Sequence, residues 1–137
     1  MQHALNRRSL LQFGAAFSLL PLTSPAVTAR PYSFNLFFDF ESTQLTAGAA
    51  ELADLVARQI LPIARVTLSG HADTAETHPE RLSYSRGNEV LKYFLRKQSL
   101  ARVRFNVVTS GTSALLVKTG PNIREPQNRR VEISMEM

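Results

Sequence analysis

At 137 residues the chain is long enough for one domain with its own apolar core. A hydrophobic share of 44% and a charged share of 20% are ordinary for a soluble globular protein. The absence of cysteine excludes disulfides, thiolate metal sites, a cysteine nucleophile and a lipid-bearing anchor cysteine, and the net charge of +5 is too small and too evenly spread to argue nucleic-acid binding.

The first 29 residues read as an export signal. Arg7 and Arg8 precede an apolar run from Leu10 to Leu22, about half the roughly 20 residues that a membrane-spanning helix needs. Small residues follow, and Val27-Thr28-Ala29 offers a peptidase site before Arg30. A basic region, a short apolar region and a small-residue exit define a signal peptide over 1–29, leaving a domain over 30–137. Arg7-Arg8-x-Leu10-Leu11 resembles a twin-arginine signal, with Asn6 and Gln12 departing from that pattern. The general secretory route is the alternative. Either implies the periplasm, with no spanning helix left in the mature chain.

The remainder alternates between two periodicities. Phe34, Leu36, Phe38 and Phe40 recur every second residue, as on a strand with one buried face. Thr46 can cap a helix in which Ala49, Leu52, Ala53, Val56 and Ile60 recur at three- and four-residue spacing, with Pro62 as its stop. Ala64, Val66 and Leu68 then alternate up to Gly70. After a polar loop, Thr77 and Glu80 have capping-box spacing and Pro79 suits a first helical turn, so a second helix is expected through about Lys97. Val103, Phe105 and Val107 form a third strand. Gly111–Gln127 is irregular, and Ala114–Val117 within it reads equally as a short helix or an apolar flap. Val131, Ile133 and Met135 mark the last strand.

The expected fold is therefore α+β: a two-layer sandwich in the order β-α-β-α-β-β. Two helices cover one face of a mixed four-stranded sheet.

Chemistry concentrates between Gly70 and Arg86. Leu82, Arg86, Val90 and Phe94 lie four residues apart and share one helix face, so a guanidinium occupies an apolar row. It needs an acid or carbonyls, because an unpaired buried charge is costly. Asp73, just past a strand end, is one partner and Glu41 another; on the residues alone a structural ion pair, or an arginine reaching out at the sheet edge, is favoured over a ligand site. His71 and Asp73 are too few for a metal site, even with His78 nearby. Ser69, His71 and Asp73 lie on one strand without a nucleophile elbow, so no catalytic residue and no cofactor are expected.

Four motifs, Phe38-x-Phe40-x-Ser42-x-x-Leu45, Gly70-His71-Ala72-Asp73, Leu82-Ser83-x-x-Arg86-Gly87 and Asn128-Arg129-Arg130-Val131-Glu132-Ile133, span about residues 33–135. In this order they resemble the OmpA-like C-terminal domain, the peptidoglycan-binding module of Gram-negative envelopes. The resemblance implies a non-catalytic domain in which Asp73 and Arg86 hold the diaminopimelate of the stem peptide and Arg129 supports them. Peptidoglycan would be the partner, with other envelope proteins as the alternative. Diaminopimelate presents an ammonium and a carboxylate on one carbon, matching an acid and a guanidinium. Three features depart from the family pattern. Ala72 stands where a threonine is usual, Pro79 where an asparagine is usual, and the Asp73-to-Arg86 connection is about two residues short.

Overall fold

The structure is a computed structural model and describes residues 32–136. The expected signal peptide thus lies outside the described residues. Strand β1 spans Tyr32–Phe37, helix α1 Ala47–Ala57, strand β2 Arg65–His71 and helix α2 Pro79–Leu95. Strand β3 spans Arg104–Gly111 and strand β4 Arg130–Glu136. The strands lie in the order β1-β4-β2-β3. β4 is antiparallel to both neighbours, whereas β2 and β3 run parallel, as the crossover through α2 requires. The sheet is mixed, as the sequence led one to expect.

Register explains the layering. Leu36 lies opposite Val131, and Leu68 opposite Ile133, so the apolar positions of three strands share one face. Ala49, Ala53 and Val56 of α1 and Val90 and Phe94 of α2 join them in a single core. Fully burying a leucine, isoleucine or phenylalanine contributes roughly 1.5–3 kcal/mol.

Element ends depart from the sequence pattern in instructive ways. β1 stops at Phe37, yet Phe38 stays buried and its N–H still donates to Arg129 O at 2.8 Å. Thr46 caps α1 through Oγ1, which accepts from Ala49 N at 3.2 Å, but the helix ends at Ala57, five residues before Pro62. Ile60 packs into the core from the turn beyond. The capping box at Thr77 does not form. The cap of α2 is His78, in left-handed geometry (φ 53°, ψ 57°), with no side-chain hydrogen bond. Thr77 N instead donates to the Glu41 carboxylate.

Two glycines set the distance between β2 and α2. A Cβ on Gly70 would fall 1.9 Å from Ser83 O. One on Gly87 would fall 2.8 Å from a Val107 methyl. The N-terminal half of α2 therefore lies directly against the end of β2, and this closeness puts Arg86 beneath the loop that follows the strand.

Candidate functional site

The site is built where β2 ends. After His71 the chain makes a turn in which Glu76 N donates to Asp73 O at 3.4 Å. Asp73 closes that turn with its own side chain: Oδ1 accepts from Ala75 N and Glu76 N, both at 3.0 Å. Its other oxygen, Oδ2, accepts from Glu125 N and from Arg129 Nη1, again at 3.0 Å each. The carboxylate is fully buried, and the Arg129 side chain is only 11% exposed. Arg129 is steadied in turn by Nε donating to Phe38 O at 3.0 Å.

Arg86 is also fully buried, on the apolar row where the sequence placed it. Nε donates to Ser42 O at 2.9 Å, Nη1 to His71 O at 3.1 Å and Nη2 to Asp39 O at 3.1 Å. The two remaining guanidinium hydrogens go to Glu76, Nη1 to Oε2 at 2.8 Å and Nη2 to Oε1. All five donors of the fork are thereby used. The Phe38 ring lies 5.4 Å beneath the guanidinium carbon, a cation–π distance.

Glu76 joins the two halves. Its side chain is fully buried, and besides Arg86 it accepts from Asp73 N (Oε2, 3.0 Å) and Glu41 N (Oε1, 3.0 Å). Asp73 and Arg86 therefore belong to one cluster but do not pair. Neither expected partner of Arg86, Asp73 or Glu41, takes its charge.

A long connection covers this cluster. Gly111–Gln127 is neither helical nor apolar throughout; it wraps back over the β2–α2 loop and ends in a 3-10 turn at Pro126–Asn128. Thr74 Oγ1 fastens it, donating to Gly120 O at 2.7 Å and accepting from Ile123 N at 3.0 Å. Asn128 clamps its middle, with Oδ1 accepting from Val117 N at 2.9 Å and Nδ2 donating to Val117 O at 2.8 Å. Arg124 stacks over Phe40 at 3.8 Å.

The cluster is strained at its margins. Glu41 and His78 both hold φ near +53°, and His78 does so immediately before a proline. Non-glycine residues in this region cost on the order of 1–3 kcal/mol each and collect at functional sites. Among the described residues no three His, Asp or Glu side chains are gathered as metal ligands, and no helix is long and apolar enough to cross a membrane.

On the opposite face of the sheet, His71 is buried beside Arg130, where neither ring nitrogen has a partner among the described residues. Burial, and then the Arg130 charge, bring the imidazole down to about 4. Burial lowers Arg130 as well, and its Nη2 donates to Ala114 O at 3.3 Å.

Comparison with known proteins places this geometry. The model of the OmpA family matches residues 37–129, from the end of β1 through Arg129. The chain belongs to the OmpA family. A curated relative, an outer membrane protein of Gluconacetobacter diazotrophicus, is 34% identical over 111 residues. The match covers 74% of this chain but 29% of that protein, so the chain spans under a third of its relative's length. The peptidoglycan-associated lipoprotein from Burkholderia pseudomallei shares the fold with a TM-score of 0.62 at 20% identity, over 74% of this chain and 89% of that one. The cell wall anchor of the T6SS from Pseudomonas aeruginosa gives a TM-score of 0.60 at 21% identity, over 74% and 77%. The C-terminal domain of Helicobacter pylori MotB gives 0.58 at 16%, over 79% and 86%.

Within this OmpA-family domain, Asp73, Arg86 and Arg129 all lie in the cluster. The residues that sequence reasoning missed are Glu76, Thr74 and Glu125. Glu76 alone left a trace, as a further acid three residues past Asp73 in the loop that leads to Arg86.

Proposed function

We propose that the chain is a non-catalytic, exported domain that binds peptidoglycan in the Gram-negative cell envelope, taking the diaminopimelate centre of the stem peptide at Asp73 and Arg86 with Arg129 in support. One observation carries the reading: an acid and a guanidinium converge on one cluster at a strand exit, joined through Glu76, which accepts from both Asp73 N and Arg86. Relatives described as peptidoglycan-associated and as a cell wall anchor share the fold and support it.

Binding on this reading is an exchange of partners. The ligand ammonium takes the place of Arg129 beside Asp73, and its carboxylate meets Arg86. Charge-assisted hydrogen bonds contribute about 1.5–3 kcal/mol each, but the intramolecular pairs must first be given up. Individual contacts are weak, which suits a polymer presenting many copies of the ligand.

The test is sedimentation of the purified chain with insoluble peptidoglycan rich in diaminopimelate, with free meso-diaminopimelate as competitor and lysine-type peptidoglycan as a second arm. Co-sedimentation that meso-diaminopimelate abolishes is expected. A chain that stays in the supernatant, or that sediments regardless of competitor, overturns the assignment.

A second reading, an envelope protein-interaction subunit with a lapsed wall pocket, is favoured by the full burial of Asp73 and Arg86, the former also tied to the Gly111–Gln127 connection through Glu125 N. Failure to sediment, together with recovery of an envelope protein bound to the purified chain, selects it.

A further inference from the structure

We propose that Glu76 is the built-in occupant of a carboxylate subsite, and that a carboxylate ligand enters by exchange for its side chain. The inference deepens the peptidoglycan reading and rests on it for the identity of the ligand, but not for the existence of the subsite.

The Glu76 carboxylate is bound as a ligand carboxylate would be. Both oxygens face the fork of Arg86, and each accepts one further main-chain N–H, from Asp73 to Oε2 and from Glu41 to Oε1, at 3.0 Å. Four donors from three separate segments converge on it. A planar guanidinium plus two oriented amides is a receptor for a carboxylate, whichever chain supplies it.

The receptor is preorganised without its occupant. Three guanidinium donors are held by Ser42 O, His71 O and Asp39 O, and the Phe38 ring supports the group from below. Those contacts orient Arg86 whether or not Glu76 is in place, leaving one Nη1 and one Nη2 hydrogen for the guest.

The occupant sits on an irregular segment of the cluster. Glu76 lies in the connection between β2 and α2, outside any helix or strand. At the far end of that connection His78 is left-handed before Pro79, and Glu41, which binds Thr77 N, is left-handed too. Release of Glu76 allows both to leave that region. Beside Asp73–Arg129, the Glu76–Arg86 pair is thus a second ionic restraint on the loop, and it is the one that a competing carboxylate replaces.

Removing the occupant decides the matter. Glu76→Ala leaves an empty cavity lined by Arg86 and two amides; Glu76→Gln keeps the shape and removes the charge. The full chain carrying each change is compared with the unaltered protein by thermal melting in acetate, in meso-diaminopimelate and in chloride of equal ionic strength, and by sedimentation with peptidoglycan. Glu76→Ala is expected to melt lower, to regain its melting temperature saturably with acetate or meso-diaminopimelate but not chloride, and to bind peptidoglycan about tenfold more tightly. Glu76→Gln is also expected to bind more tightly than the unaltered chain, so a folding defect in the alanine variant leaves a second measure. If acetate restores Glu76→Ala while no form sediments, the subsite stands and wall binding falls. If every form sediments alike, with competition by meso-diaminopimelate but no response to acetate, wall binding stands and the role of Glu76 falls. An alanine variant that stays unfolded in all three salts, with a glutamine variant that binds no better, also overturns it.

Discussion

Arg129 reaches back across 56 positions to place Nη1 3.0 Å from Oδ2 of Asp73. The acid is fully buried and the guanidinium nearly so, which makes this an interior pair rather than a surface one. The same Arg129 holds Phe38 O through Nε, so one side chain ties the end of β1, the start of β4 and the loop after β2.

Arg129→Ala should therefore lower stability by about 3 kcal/mol, the usual consequence of stranding one member of a buried pair. The three amides on Asp73 soften the loss without replacing a charge. Arg129→Lys should recover only part of it, since an ammonium cannot bridge Asp73 and Phe38 O in one plane. Urea denaturation of the three forms checks this: an alanine variant within 1 kcal/mol of the original, roughly the value of an exposed pair, would show that the pair is not interior in solution.

The elements were legible because their periodicities are clean. Leu36, Val66, Leu68, Val131 and Ile133 announce one buried sheet face, and the row Leu82-Arg86-Val90-Phe94 is buried throughout. The site was legible as a set of residues but not as a set of pairs. Sequence spacing could offer Asp73 or Glu41 to Arg86, whereas the loop conformation delivers Glu76. That conformation depends on a left-handed His78, which local preference before Pro79 argues against. The capping box at Thr77 failed for the same reason: Thr77 N is claimed by Glu41, from a segment 36 positions away. The cover over Asp73 was hidden as well, because Thr74 and Asn128 bind main-chain groups of the Gly111–Gln127 connection, and main-chain partners leave no residue pattern.

The junction of β2 and α2 makes a sharp claim about glycine. Gly70→Ala drives a methyl to 1.9 Å from Ser83 O, where only a shift of helix or strand can relieve it. Overpacking of this kind costs typically 1–3 kcal/mol, and here the obstacle is backbone rather than a yielding side chain. Displacing the start of α2 also moves Arg86, so the carbonyl contacts of the guanidinium should loosen together. Gly48→Ala is the control. It lies in the first turn of α1 with nothing within 4 Å of the added carbon, and should stabilise by up to about 1 kcal/mol. Thermal unfolding of both variants gives opposite signs if the packing is as described; equal and small shifts would contradict it.

His71 supplies a pH dependence whose sign is fixed. Its imidazole is brought down from 6.5 to about 4, first by burial and second by the charge of Arg130. The folded protein thus holds the ring neutral, whereas the unfolded chain takes up a proton near 6.5. Stability from this source is fully present above about 6.5 and is lost as pH falls from there towards 4. At pH 5 the loss amounts to about 2 kcal/mol. Glu132, on the same strand as Arg130, favours the charged form of that arginine, so Arg130 keeps repelling a protonated ring throughout this window. His71→Gln removes the titration while keeping a polar side chain of similar reach. Denaturant midpoints of the two proteins, taken at half-unit steps from pH 7.5 to 4.5, should diverge below 6.5, with the original chain falling more steeply. Parallel profiles would mean that His71 is solvated in the folded state.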